Sequence, residues 1–192
     1  MNAKITTMNK PKIILIHGNG GGTGQDNWFP YVKKELESKG FTVIAETMPD
    51  NVLARADQWL PFLKDTLGAG EDTILVGHSS GAVAAMRYAE TNKLYGSILV
   101  GASYTDLGDA DVKASGYYDR PWQWDHIKAN QNWIIQFAST DDPYIPIEDA
   151  RYIHEKLGSE YHEASIEGHY GEDKGKTEFP EIVEIINRKV SE

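Results

Sequence analysis

Ile74-Leu75-Val76-Gly77-His78-Ser79-Ser80-Gly81, running on into residues 82–90, is the stretch on which the fold turns. Residues 73–76, a threonine followed by the apolar run Ile74-Leu75-Val76, read as a strand of the kind covered on both faces. Gly77 to Gly81 spells G-x-S-x-G, and the alanine-rich run after it reads as a helix that can pack closely on a sheet. A serine on so tight a strand-to-helix turn is pushed toward strained backbone angles. Side chains two residues to either side would strike strand or helix, and glycine at both flanks removes them. The turn lifts the Ser79 hydroxyl above the sheet at a helix N-terminus, where N–H groups and the helix dipole favour negative charge. A serine that only capped the helix would not call for glycine on both sides. Ser79 is therefore the candidate nucleophile.

Outward from this stretch the same alternation repeats. Strands are expected at residues 13–16, 41–45, 97–100, 133–138 and 161–166, beside 73–76. Helices are expected at 28–39, closed by Gly40, at 54–67 with an interruption near Pro61, and at 81–90, 147–157 and 178–189. Apolar strands separated by helices imply βαβ crossovers, hence an α/β fold with a parallel, doubly wound sheet. Residues 101–130 break the rhythm, holding Tyr104, Tyr117, Tyr118, Trp122 and Trp124 without a clear strand. So long a segment reads as a lid or binding loop, or as an extra helix near 122–129 covering the sheet edge.

Composition narrows the class. The chain has 192 residues, 40% apolar and 25% charged, which suits one globular domain over residues 1–192 with an unaided core. Lys plus Arg number 19 against 29 Asp plus Glu, a net charge of −10 that repels phosphate backbones and anionic lipid. Neither nucleic acid nor membrane is an expected partner. Cysteine is absent, which removes disulfides, thiolate metal sites and cysteine nucleophiles and agrees with a reducing compartment. Residues 1–12 are polar, with Lys4, Lys10 and Lys12, and lack the apolar run of a signal peptide; no window reaches 18 apolar residues. The expectation is a cytoplasmic protein needing no metal or cofactor.

A serine hydroxyl needs a neutral imidazole to take its proton and a carboxylate to hold that imidazole. On sheets that carry such a turn the partners follow in the order Ser, acid, His. His154 falls inside a helical stretch and His162 within a strand, whereas His169 lies in a loop after the sixth strand, where the base is required. For the acid, Asp141 and Asp142 compete in the loop after the fifth strand. Asp142 is preferred because the loop then reads Asp-x-x-Ile-Pro, returning the chain toward the next helix. Asp141 could instead cap that turn.

Gly18-Asn19-Gly20-Gly21-Gly22-Thr23-Gly24 directly follows the first strand. A dinucleotide loop beginning at Gly18, Gly20 or Gly22 would need glycine at 23, 25 or 27, and those positions are Thr23, Gln25 and Asn27. No Gly-Lys-Ser/Thr of a P-loop is present either. The remaining functional reading is a side-chain-poor loop donating a backbone N–H to a tetrahedral oxyanion. The expected donors are the N–H groups of Asn19 and of Ser80, the residue after the nucleophile.

With these residues placed, the chain resembles an α/β-hydrolase, and more narrowly the retinoblastoma-binding-protein-9 family of small serine hydrolases. The resemblance spans almost the whole chain. It rests on Gly18-Asn19-Gly20-Gly21-Gly22, Trp59-Leu60-Pro61-Phe62, Gly77-His78-Ser79-Ser80-Gly81-Ala82, Ala84-Ala85-Met86-Arg87-Tyr88-Ala89-Glu90, Ala114-Ser115-Gly116-Tyr117, Arg120-Pro121-Trp122-Gln123-Trp124 and Ser139-Thr140-Asp141-Asp142-Pro143. It implies a compact three-layer α/β/α sandwich with a mostly parallel sheet of about six strands. It also implies Ser79, Asp142 and His169 as a catalytic triad, and substrate binding by Trp122 and Trp124. One departure stands out: the family's proposed retinoblastoma-binding segment is Leu-x-Cys-x-Glu, and the corresponding Leu67-Gly68-Ala69-Gly70-Glu71 has Ala69 in place of the cysteine. Retinoblastoma binding is not carried over.

The expected function is metal-independent cleavage of a small-molecule ester or amide through an acyl-enzyme. The alternative is a non-catalytic protein-binding module on a hydrolase fold, which would have no need of serine, acid and histidine in that order.

Overall fold

The computed structural model describes residues 10–192; Lys4 and most of the polar start of the chain lie outside them. Six strands form one sheet: β1 (Lys12–Ile16), β2 (Val43–Ile44), β3 (Thr73–His78), β4 (Gly96–Val100), β5 (Ile134–Ser139) and β6 (Glu160–Ala164). Their order is β2-β1-β3-β4-β5-β6, and every neighbouring pair is parallel. The three-layer α/β-hydrolase architecture expected from the sequence is present.

Strand periodicity divides the core. Ile13, Leu15, Ile74, Val76, Ile98 and Val100 point to one face, covered by α1 (Phe29–Ser38) and α7 (Pro180–Ser191) through Phe29, Val32, Leu36, Ile182 and Ile186. Ile14, Ile16, Leu75 and Leu99 point to the other, covered by α2 (Ala56–Pro61), α3 (Ser80–Ala89), α5 (Trp124–Ala129) and α6 (Ile147–Leu157). Nine residues of α3, from Gly81 to Ala89, are buried, and its alanines allow the close approach to the sheet. The edges are blunted differently: β2 has two residues, and β6 carries Glu160 and Glu163, ion-paired to Arg188 and Arg151.

Several expected boundaries shift. The strand expected at 41–45 shrinks to Val43–Ile44, and the helix expected at 54–67 ends at Pro61 and continues as a π-helical turn over Phe62–Thr66. Proline cannot donate the helix-interior hydrogen bond, and the widened turn closes with Leu67 N–H on the Phe62 carbonyl. Residues 101–130 contain two short helices. α5 answers to the one expected near 122–129, while α4 (Ala110–Ala114) was not foreseen. Its signal is Asp109, whose side chain caps the N–H groups of Asp111 and Val112.

Candidate active site

The ends of β1, β3, β4 and β5 bring the candidate residues to one rim of the sheet. Ser79 follows β3 with φ 55° and ψ −122°, a strained conformation for a residue other than glycine, held by its N–H on the Val100 carbonyl at 2.8 Å. Both flanking glycines are sterically required. A Cβ on Gly77 would run into the backbone of Gly81, and one on Gly81 into the Ile16 carbonyl. β1, β3 and α3 can approach so closely only without side chains there.

After β5 the two aspartates take different tasks. Asp142 Oδ1 accepts the N–H groups of Tyr144 and Ile145 at 2.9 and 3.0 Å, and its Oδ2 lies 2.7 Å from His169 Nδ1. Asp141 accepts from the Ser139 hydroxyl at 2.6 Å and the Gly168 N–H at 2.8 Å, with Lys174 Nζ at 2.9 Å. The Ser139 hydroxyl, then the Lys174 ammonium and the Gly168 amide, push its pKa down to about 2. Asp141 thus ties down the loop before the histidine, and Asp142 touches the imidazole itself.

The His169 backbone is held on both sides. Its N–H donates to Asp173 at 2.9 Å, and its carbonyl accepts from His78 Nε2 at 2.7 Å. The next carbonyl, that of Tyr170, accepts from the Trp28 indole at 2.9 Å. Burial, followed by the neighbouring His169, pushes the His78 pKa down to about 3, so His78 is a neutral donor. The imidazole of His169 lies over Gly101, where φ is +59°; a Cβ there would come 3.0 Å from His169 Cε1. The other sequence candidates pack elsewhere: His154 stacks on Tyr161 and His162 on Phe137.

Ser79, Ser80, His169 and the Gly18–Gly22 loop line one cavity of about 730 Å³. The Ser79 hydroxyl makes no hydrogen bond among the described residues, so the structure brings serine and imidazole to one cavity without joining them directly. The glycine loop is fixed from behind. Gly20 and Gly21 donate to the carbonyls of Val52 and Asn51, and Asn51 Nδ2 donates to the Gly22 carbonyl. The N–H groups of Asn19 and Ser80 have no such partner among the described residues. Gly18 sits against Ser79: a Cβ on it would lie 3.2 Å from Ser79 Cβ and 3.7 Å from Ser79 Oγ.

Neither Trp122 nor Trp124, expected at the substrate, is among the residues lining this cavity. Trp122 lies under the Arg87 guanidinium, 3.5 Å from its ring centroid, and stacks on Trp124 at 5.3 Å. The buried Arg87 also bonds Glu90 and the carbonyls of Tyr117, Arg120 and Pro121, so this aromatic segment is fastened to the back of α3. The apolar and aromatic part of the cavity lining includes Leu107, Val112, Tyr118, Pro143, Tyr144 and Ile145. Val112 and Tyr118 arrive there through α4 and the turn after it, which no apolar periodicity announces. Among the described residues the lining also holds Asp26, Asp109, Glu172 and Asp173 but no lysine or arginine.

A family model described as serine hydrolase matches residues 13–188. The serine hydrolase RBBP9 of Rattus norvegicus is 45% identical over 177 residues, covering 91% of this chain and 93% of that protein. Among solved structures, the ydeN gene product of B. subtilis superposes with a TM-score of 0.86 at 25% identity over 95% of this chain and all of that one. Est1E of Butyrivibrio proteoclasticus, solved with ferulic acid bound, superposes with a TM-score of 0.71 at 13% identity, covering 100% of this chain and 94% of that one. The last is a likeness of fold.

Proposed function

The chain belongs to the serine hydrolase family, and from that footing we propose that it cleaves a small ester or amide through an acyl-enzyme, with Ser79 as nucleophile, His169 as base and Asp142 as its orienting acid. The observation that carries this reading is the 2.7 Å approach of His169 Nδ1 to Asp142 Oδ2, over a cavity that also opens on the strained Ser79. An Nδ1–H donated to Asp142 leaves Nε2 as the lone-pair nitrogen, the form that a general base needs.

The steps follow from this arrangement. Nε2 takes the Ser79 proton as Oγ attacks the substrate carbonyl. The tetrahedral oxyanion is met by the Asn19 and Ser80 amides, two donors without a partner among the described residues, each typically worth about 3–4 kcal/mol. The imidazolium, steadied by Asp142, returns the proton to the leaving alcohol or amine. Water then repeats the sequence on the acyl-enzyme, with His169 again as base. The carboxylates around the cavity favour neutral or cationic substrates over anionic ones.

A fluorophosphonate probe tests the assignment. Wild type is expected to label and Ser79→Ala to stay unlabelled; labelling that survives the substitution overturns it. A panel of aminoacyl and short-chain acyl reporter esters and amides, run on both proteins, then separates ester from amide preference. Absence of turnover and of labelling in wild type would favour the non-catalytic binding module.

A further inference from the structure

His17, the last residue before the glycine loop, is 1% exposed and lines the cavity, yet the proposed chemistry gives it no part. Its two ring nitrogens have opposite partners. The Met48 N–H donates to Nε2 at 2.8 Å, and the Gly18 carbonyl lies 2.7 Å from Nδ1. An N–H cannot donate to a protonated nitrogen, and a carbonyl can only accept. One form satisfies both: the neutral imidazole with its proton on Nδ1. Burial lowers the His17 pKa from its ordinary value, outweighing the bond to Gly18 and the charge of Asp26, which act the other way.

The consequence lies in the peptide that follows. In a trans peptide the C=O and the next N–H point in opposite directions across one rigid plane. Holding the Gly18 carbonyl therefore fixes the heading of the Asn19 N–H. The space beside this contact is tight: a Cβ on Gly22 would come 2.6 Å from Gly18 O and 3.2 Å from His17 Nδ1. The indole of Trp59 meets the His17 ring edge-on at 5.3 Å and limits its rotation. Gly18 itself abuts Ser79, so the peptide whose carbonyl His17 holds begins beside the residue read as nucleophile.

We propose that His17 is a positioning residue, whose Nδ1–H clamps the Gly18 carbonyl so that the Asn19 amide is presented to the oxyanion. This rests on the reading of Ser79 as nucleophile and Asn19 as donor. It assigns His17 no contact with substrate; its effect passes through one peptide plane.

The two amide side chains divide the functions of the ring. Asparagine places an N–H donor near the position of Nδ1, and glutamine places its amide near Nε2. His17→Asn keeps the hold on Gly18 and drops the acceptor for Met48, and His17→Gln does the reverse. With p-nitrophenyl acetate as substrate, His17→Gln is expected to lose about 100-fold in kcat with KM little changed, the size of a lost oxyanion donor. His17→Asn is expected to lose less than about 10-fold, being the conservative replacement of the clamp. Affinity for a trifluoromethyl ketone, which forms a tetrahedral adduct on serine, should fall in step with kcat across the variants. Gly22→Ala, which crowds the Gly18 carbonyl, is expected to show the same coupled loss. His17→Gln retaining as much kcat as His17→Asn, losses that follow thermal stability alone, or Gly22→Ala with unchanged kcat and inhibitor affinity would each overturn the clamp. Ser79→Ala run alongside separates the failures. If it still labels with fluorophosphonate, the proposed chemistry fails and takes the clamp with it; if it does not label, the variant results bear on the clamp alone.

Discussion

His169 Nδ1 stands 2.7 Å from Asp142 Oδ2, and the other oxygen of that carboxylate is held by the amides of Tyr144 and Ile145. The acid is thus fixed before it meets the imidazole, and its aim does not depend on substrate. Asp142→Asn preserves the shape but presents a side chain that can turn its N–H toward Nδ1, favouring the wrong tautomer. A loss of about 10³–10⁴ in kcat with little change in melting temperature is expected. Asp141→Asn, which loosens Gly168 and Lys174 instead, should lower the melting temperature and keep most of kcat. Steady-state kinetics beside thermal unfolding of both variants checks the division of labour.

Gly101→Ala probes the seat of the imidazole. The new Cβ would lie 3.0 Å from His169 Cε1 on a backbone with φ +59°, so the ring has to shift. Misplacing a catalytic group by a fraction of an ångström to 1 Å costs up to about 100-fold, and a loss of about 10- to 100-fold in kcat is expected. The strained backbone adds about 1 kcal/mol of destabilisation. Kinetics with denaturant unfolding reads both effects.

The buried His78 carries a pH signature in stability. Its folded pKa of about 3 lies below the ordinary 6.5, so between those values the unfolded chain binds a proton that the folded chain refuses. Stability contributed by a neutral His78 is complete above pH 6.5 and is lost as the pH falls toward 3. His78→Gln places an amide donor near Nε2, within reach of the His169 carbonyl, but does not titrate. Melting temperature plotted against pH should be flatter for the variant than for wild type between pH 6.5 and 3. In unfolding free energy the two slopes differ by up to about 1.4 kcal/mol per pH unit. Parallel curves would exclude His78 as the group refusing a proton.

Charge selection follows from the cavity wall. Asp26, Asp109, Glu172 and Asp173 line it without a lysine or arginine among the described residues. A p-nitrophenyl ester with a carboxylate-bearing acyl chain should be turned over with kcat/KM at least about 10-fold below its uncharged isostere. Added salt should narrow the gap, because screening weakens repulsion between partly exposed charges.

Trp122→Ala tests whether the aromatic segment serves packing or substrate. The ring sits 3.5 Å from Arg87 Cζ and stacks on Trp124, so its loss should lower stability by about 2–3 kcal/mol. Substrate KM should stay within about twofold of wild type, since the ring does not reach the cavity wall. A large rise in KM with stability intact would return Trp122 to the substrate.

Much of this protein can be read along the chain because its chemistry is local. Continuous apolar runs such as 74–76 and 98–100 predict strands buried on both faces, since alternate residues must meet opposite helical layers. Gly77 and Gly81 announce the turn at Ser79 because only a missing side chain lets Gly77, Gly81 and Ile16 crowd together. Less legible are helices set by tertiary contacts. α4 is five residues long with none buried, leaving no apolar stripe to detect, and the π turn after Pro61 depends on how that segment docks. The packing of Trp122 against Arg87 was not legible either, because bulk and aromaticity suggest a pocket equally well when a ring covers an arginine.

Sequence order by itself determined the architecture and the short list of chemical groups: a serine between glycines after one strand, two adjacent aspartates after another, a histidine in a late loop. Those assignments depend on neighbours along the chain, where backbone geometry leaves few alternatives. The sequence preferred Asp142 over Asp141, but only the tertiary structure showed Asp142 against His169, Gly20 and Gly21 spending their amides on Val52 and Asn51 while that of Asn19 has no partner among the described residues, and His17 gripping Gly18. These relationships join residues up to 32 positions apart at hydrogen-bond distance. A tenth of a nanometre in such a contact separates a bond from none, and no pattern of residue types along the chain is that fine.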